Sequence, residues 1–496
     1  MKSKLLPIML GTVLLLTACG TTGDTSSELS EQDSQIESTE ESIPETENFG
    51  EMVYYTQDTL ADCLLALNSY FGNGMVLQRD KEVSVWGTAD ESLNGRTVIV
   101  MFAGQTKTAI VEKEKWNVKL DPLAIDKTGS DLIITCTNIS VSFSHVRVGD
   151  VWLASGQSNM CFFIEYLSGT SRTSIDNDCD YPDMGFLIIP EKKATVVQSD
   201  FERKAWVIPS KDTIAKNGIS STAFLFAREI YKNLDIPLGI VVSGAGSSTV
   251  EMWMNPAEIT KAKLYSYTYQ SESYYAAMIN PLLPMAFKGM IWYQGEGNSY
   301  NPDPYGDYLK VFVESTRRLF NNLDMPFIQV GLPSYDDLDY TKVRLLQLQT
   351  QSLVPNMYTT INYDSGNPKD LHPIDKLVIG TRLANMALEK IYNIDKPVDY
   401  PTLASYEVNG NEATLVFNTT SGLKMTDGEI NSLEICGADG VFVKAICTII
   451  DEKTIKITSS VEQIKKIKLG CNPTVIPCEL TSNEELPVAS FMIEIN

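Results

Sequence analysis

Histidine is scarce in this sequence: 496 residues contain two, His145 and His372. A protein-held metal usually takes several histidines, or carboxylates at ligand spacing. The sequence offers neither, so no metal is expected. Its nine cysteines include no Cys-x-x-Cys pair, which removes the common zinc and dithiol signatures. Positive charge is short as well. Forty Lys and Arg face 63 Asp and Glu, for a formal net charge of -23. Phosphate neutralisation needs clustered Lys and Arg, so nucleic acid is excluded as a partner. No glycine-rich loop stands in a dinucleotide-binding context, and no organic cofactor is expected. There is no internal repeat.

What is present begins with a leader. Lys2 and Lys4 precede an apolar stretch from Leu5 to Leu16, too short for a comfortable transmembrane helix and suited to a secretory signal. Its end, Leu16-Thr17-Ala18-Cys19, resembles a bacterial lipobox. That resemblance implies cleavage before Cys19 and lipid on its sulfur. It also implies a chain held at the extracellular face of a bacterial membrane, through the lipid anchor only. Residues 20–50 carry nine acidic residues and no Lys or Arg. Such a segment buries too little apolar surface to offset its ordering entropy, and residues 20–55 read as a disordered tether. Export permits disulfides among the eight remaining cysteines. Pairing within the C-terminal four and buried free thiols both stay open.

Three regions follow the tether. Residues 56–148 are β-rich: "KEVSVWGT", "RTVIVMFAG", "KTAIVEKEKWNVKL", "DLIITCTN" and "VSFSHVRV" read as strands of a small β-sandwich, with a short helix upstream in "TLADCLLALNSYF". Residues 149–398 alternate apolar strands with amphipathic helices, which predicts a parallel sheet covered on both faces. Helices are expected in "STAFLFAREIYKNL", with Ser220 or Ser221 as cap, in "DPYGDYLKVFVESTRRLFNNL", in "KVRLLQLQTQSLV", and from Pro373 through "IDKLVIGTRLANMALEKIY". Residues 399–496 return to β runs and form a second β domain.

In open α/β sheets, ligands bind beyond the carboxyl ends of the strands. Ser155-Gly156-Gln157-Ser158-Asn159 follows "DVWLA"; Gly244-Ala245-Gly246-Ser247 follows "GIVVS". Gln294-Gly295-Glu296-Gly297-Asn298 follows "GMIWY", and Asp370-Leu371-His372-Pro373 lies beyond "YTTINYD". A serine, a histidine, carboxylates and amides at strand ends are the parts needed for acyl transfer. The histidine activates the hydroxyl, a carboxylate orients the ring, and N–H groups hold the oxyanion. His145, inside a predicted strand, is assigned to structure. Ser158 is not in a Gly-x-Ser-x-Gly elbow, which disfavours an α/β-hydrolase. Glu296, between two glycines, reads as a supporting partner of the site. Trp152, Trp253 and Trp292 read as core, with Trp253 alone able to face a substrate ring.

The stretches "VGDVWLASGQSNM", "SGAGSSTVEMW", "NPLLPMAFKGMIWYQGEGN" and "NPKDLHPIDK" resemble the sialate O-acetylesterase family within the SGNH hydrolases, and "YFGNGMVLQRDKEVSVWG" resembles its N-terminal β domain. The resemblance implies an α/β, flavodoxin-like SGNH hydrolase domain flanked by β-sandwich-like domains. It further implies metal-free removal of acetyl groups from O-acetylated sialic acid or another acetylated glycan. By that resemblance Ser158 is the nucleophile and gives its backbone N–H to the oxyanion hole. Gly246 gives a second N–H, the side chain of Asn298 or Gln294 the third, and His372 is the base. Gln157, Glu296 and Asp364 would support them, the amides beside Ser158 hydrogen-bonding around the acyl oxygen. The sequence departs twice from the family pattern. Ser247 stands where a second glycine is common, and Lys369 occupies the position three before the histidine that often carries the acid. Asp370 is therefore the first choice for the orienting acid, Asp364 the second, and a Ser158–His372 dyad the third. An acetylxylan or other glycan acetylesterase is the nearest alternative. A non-catalytic glycan-binding surface lipoprotein, which would not need the Ser158, His372 and carboxylate set, is the alternative of another class.

Overall fold

The computed structural model describes residues 51–264, 272–425, 429–475 and 478–495. The leader, Cys19 and most of the acidic tether lie outside the described residues.

The molecule is built around one long strand, β1 (Ile139–Gly156). Its first half pairs antiparallel with Asp126–Cys136 and belongs to the N-terminal β region; its second half is the middle of a parallel sheet. The expected boundary at residue 149 therefore falls inside a strand. Upstream, "QDTLAD" forms a 3-10 turn over Gln57–Asp62, and "LAL" is already a strand, Leu65–Leu67. The join is fixed by Asp150, wholly buried, which accepts hydrogen bonds from Arg79 (2.9 and 3.0 Å), Gln78 (3.0 Å) and Tyr392 (2.9 Å). Burial pushes this carboxyl up, but the Arg79 guanidinium and the other donors hold it below its ordinary value.

The parallel sheet adds β2 (Met184–Ile188), β3 (Leu238–Gly244), β4 (Gly289–Tyr293), β5 (Phe327–Val330) and β6 (Met357–Thr360), in the spatial order β2-β3-β1-β4-β5-β6. Its central strands are apolar without alternation, as expected where neither face meets water. Helix α1 (Ser221–Leu234) starts where Ser220 Oγ accepts the Ala223 N–H at 3.1 Å. Its first two turns, Ser221–Arg228, are buried on all sides, and Ile230 continues the buried face. Helices α2 (Tyr305–Leu319) and α3 (Thr341–Leu353) pack together, as do α1 and α4 (Leu377–Tyr392). The α1–α4 pair approaches closely because position 380 is glycine; a Cβ there would lie 2.4 Å from Leu225 Cβ. Helix α4 begins at Leu377 rather than at Pro373, so the chain from Ile361 to Lys376 is a loop.

Neighbouring tryptophans report the two faces. Trp292 pairs in register with Ser155, so it points to the face opposite Trp152. Trp152 meets Phe226 of α1 at 5.0 Å and donates to Tyr392 Oη of α4, while Trp292 meets Phe312 of α2 at 4.6 Å.

The C-terminal region is a seven-stranded antiparallel sheet with its own apolar core and a two-stranded ribbon, Leu423–Met425 with Leu480–Ser482. Arg344 of α3 ties it to the parallel-sheet region, donating to the carbonyls of Asn472 and Pro473 as well as Leu332 and Pro333. All eight described cysteines are free thiols.

Candidate active site

Every site segment expected from the sequence emerges at the carboxyl edge of the parallel sheet. The turn after β1 is tight because Gly156 has φ +139° and its α-carbon faces the β4 backbone. A Cβ there would lie 2.1 Å from the Tyr293 carbonyl oxygen. The next N–H, of Gln157, donates to that same carbonyl at 2.9 Å. Ser158 is thereby lifted to the sheet edge, half-buried, with His372 Nε2 2.8 Å from its Oγ. The separation is that of a hydrogen bond, across 214 residues of chain. Gly246, from the turn after β3, stands beside Ser158: a Cβ built on it would be 4.0 Å from Ser158 Cβ.

His372 is tuned by its surroundings. Burial lowers the His372 pKa below its ordinary value, the Lys376 charge lowers it further, and the Asp370 charge opposes both. The ring is therefore neutral and able to accept the serine proton near neutral pH. Phe162 stacks on it, ring centroids 5.9 Å apart. Burial pushes the nearby Cys161 thiol up to about 12, so that sulfur stays protonated and is no rival nucleophile.

Neither candidate acid bonds the imidazole. Asp370 Oδ1 accepts the backbone N–H of His372 at 2.9 Å, and no hydrogen bond joins its carboxylate to the ring. It bends the loop and sets the local charge. Asp364 is engaged elsewhere: its two oxygens accept from Arg382 at 2.6 and 2.7 Å in a bidentate pair. As an orienting acid Asp364 is ruled out, because a carboxylate gripped by a guanidinium fork cannot also hold the histidine.

The amides divide in the same way. Gln294, fully buried, directs its Nε2 to Asn298 Oδ1 (2.7 Å), Ser248 O (3.1 Å) and Gln157 Oε1 (3.3 Å). Its two amide hydrogens are thus committed, and Gln294 is not an oxyanion donor. Asn298 accepts at Oδ1 from Gln294 and the Val250 N–H, and gives one N–H to Glu251. An amide nitrogen carries two hydrogens, so one remains. Gln157 Oε1 accepts the Gly297 N–H at 3.0 Å and braces the β4 turn. Asn159 Nδ2 donates to Glu296 Oε1 (2.7 Å) and Leu371 O (3.0 Å), while its Oδ1 accepts from Lys376 Nζ at 2.6 Å. The expectation that these two amides surround the acyl oxygen is corrected for Asn159 and for the Gln157 carbonyl: those groups hold the loops from beneath. Glu296 is a buried supporting partner, 3% exposed, and burial raises its pKa. Trp253 is 1% exposed, bonded to Ser248 and stacked on Tyr274, so it presents no face to a sugar.

Sequence reasoning missed Lys376, Arg382 and Glu251. Lys376 had one local signal, its place four residues after His372 in "DLHPIDK", but nothing in that string marks it as wholly buried. Among the described residues, no group of three or more His, Cys, Asp and Glu could hold a metal.

Residues 148–388 match the family described as carbohydrate esterase, sialic acid-specific acetylesterase. The chain is 28% identical over 367 residues to the sialate O-acetylesterases of Pongo abelii and Homo sapiens, covering 64% of this chain and 69% of each relative. Among solved structures, a carbohydrate acetylesterase from Xanthomonas citri superposes with a TM-score of 0.79 at 26% identity, covering 87% of this chain and all of that one.

Proposed function

We propose, from the premise that this chain belongs to the sialic acid-specific acetylesterase family of carbohydrate esterases, that it removes O-acetyl groups from sialic acids. The chain is a carbohydrate O-acetylesterase, a carboxylic ester hydrolase. The observation that carries the mechanism is the 2.8 Å contact between Ser158 Oγ and His372 Nε2.

His372 takes the serine proton as Oγ attacks the acetyl carbonyl carbon. The oxyanion that forms is held by the backbone N–H groups of Ser158 and Gly246 and by the second N–H of Asn298. As the tetrahedral species collapses, His372 returns the proton to the departing sugar oxygen, leaving an acetyl group on Ser158. His372 then draws a proton from water, which attacks the acetyl carbon, and returns that proton to the departing Ser158 Oγ, so that acetate leaves and the free serine and neutral histidine are restored.

The domain reading is flavodoxin-like and SGNH-type, with helices on both faces. The order β3-β1-β4-β5-β6 supports it, being the 2-1-3-4-5 doubly wound order with β2 added at one edge. Cys19 is proposed as the lipidated first residue of a chain anchored outside a bacterial cell, on the strength of the lipobox resemblance and the acidic stretch after it. A diacylated cysteine would hold firmly where one lipid chain alone would not. Membrane retention of a Cys19→Ser protein with unchanged processing would contradict this.

Acetate release from a panel of acetylated sialic acids and acetylated xylan tests the substrate. The expected result is faster turnover of the sialic acids; preference for xylan would overturn it. Ser158→Ala should retain the fold and lose several orders of magnitude in kcat.

A further inference from the structure

We propose that Lys376 is a positioning residue for the reaction, orienting the Asn159 amide so that the nucleophile turn and the histidine loop stay locked together. The proposal rests on the Ser158–His372 reading. Asn159 directly follows the nucleophile, and Leu371 directly precedes the base. The Asn159 Nδ2 to Leu371 O hydrogen bond of 3.0 Å therefore spans the two segments whose separation sets the 2.8 Å Ser158–His372 contact. No carboxylate bonds the ring, so the placing of His372 falls to its loop, which this cross-link holds.

An amide has two orientations, and only one works here. Reversed, Asn159 would point its oxygen at the Leu371 carbonyl and at Glu296, acceptor against acceptor. Lys376 opposes the reversal, because Nζ donates to the amide oxygen and in its ammonium form has no lone pair with which to accept. Its Nζ lies 2.6 Å from Asn159 Oδ1, and the lysine is fully buried. Two aromatic rings and three carboxylates favour a cation there. Nζ stands 5.1 Å from the Phe162 ring centroid and 5.7 Å from that of Tyr293. Four groups bear on its charge. Glu296 faces it from the β4 turn, across Asn159, and Asp370 and Asp375 face it from its own loop; all three favour the ammonium. His372, the fourth, feels Lys376 as a repelling charge. Burial nonetheless pulls the Lys376 pKa down to about 7. Phe162 lies under Lys376 and stacks on His372, so the lysine also supports the base through the ring it covers.

The test uses Lys376→Met, which keeps length and loses the donor and the charge. The expected result is a fall in kcat of about 10²-fold with KM little changed, the size of effect that follows a misplaced reacting group. The acid limb of the kcat/KM profile should also move to higher pH, because the charge that lowers the His372 pKa is gone. The double variant with Asn159→Ala should be no worse than the worse single variant, since both remove one device. Wild-type kcat and an unmoved acid limb in Lys376→Met would overturn the proposal, as would a loss carried by KM alone. If Lys376→Met does not fold, Lys376→Gln carries the test. It keeps an N–H donor without the charge, and an acid limb that stays in place overturns the proposal. Ser158→Ala separates the two levels. An active Ser158→Ala enzyme defeats the underlying reading; an inactive one beside normal Lys376 variants defeats this proposal alone.

Discussion

Asp370→Asn should lower kcat by about tenfold rather than by the four orders of magnitude seen when a triad acid loses its charge. In this structure the carboxylate accepts the backbone N–H of His372 at 2.9 Å. Asparagine keeps an oxygen for that bond, so the loop keeps its turn. What disappears is the negative charge that favours the imidazolium. At an effective dielectric of about 20, unit charges about 6 Å apart attract by about 3 kcal/mol. Asp370 is partly exposed, and screening leaves about half of that. Since about 1.4 kcal/mol is one factor of ten in rate, the expected loss is about tenfold. The pH profile supplies a second readout. Burial and Lys376 lower the His372 pKa, and Asp370 raises it. Removing the Asp370 charge therefore lowers the pKa further, and the acid limb of kcat/KM moves to lower pH, opposite to the Lys376→Met shift. Steady-state hydrolysis of an acetyl ester across pH, with the melting temperature as a fold control, measures both. A loss near 10⁴-fold in a folded variant would refute the reasoning, because it would mean that the carboxylate closes on the ring during turnover.

Asp364→Ala should act on stability instead. The Arg382 pair is 10% and 15% exposed, and an abandoned buried guanidinium costs about 3 kcal/mol, the low end for a broken buried pair. Urea unfolding should report that loss while kcat of the folded protein stays within a few-fold; normal unfolding with dead turnover would reverse the assignment. Gly156→Ala should fail to give soluble enzyme, since the new Cβ would meet the Tyr293 carbonyl at 2.1 Å in a backbone of φ +139°. A wild-type melting curve for that variant would contradict the geometry of the turn.

The parts of this protein written in local sequence were read from it directly. Helix α1 was placed because its capping serine and its apolar stripe lie within one stretch of 15 residues, 220–234. Ser158, Gly246, Asn298 and His372 were selected because each sits where an apolar strand gives way to small and polar residues, and a parallel sheet gathers such ends on one edge. The acid could not be chosen that way. Sequence ranks Asp370 before Asp364 on spacing alone and keeps both open; what removes Asp364 is Arg382, 18 residues further on, which claims it only after α4 has packed. Gln157 and Asn159 look like partners for substrate because they flank the nucleophile. Their hydrogen-bonding atoms were assigned by β4 and by Leu371, more than 130 residues away. Nothing in the sequence sets Lys376 apart from other lysines, and only the closing of the β1 turn, Phe162 and Tyr293 around it buries its Nζ. The strand through residue 149 is of the same kind. Sequence period marks a strand, but which neighbours hydrogen-bond to each half is decided by the strands that assemble on it, so one continuous strand is antiparallel to its neighbour in its first half and the middle of a parallel sheet in its second. Short-range pattern fixes which groups reach the sheet edge; long-range contact decides the direction in which each one's hydrogen bonds run.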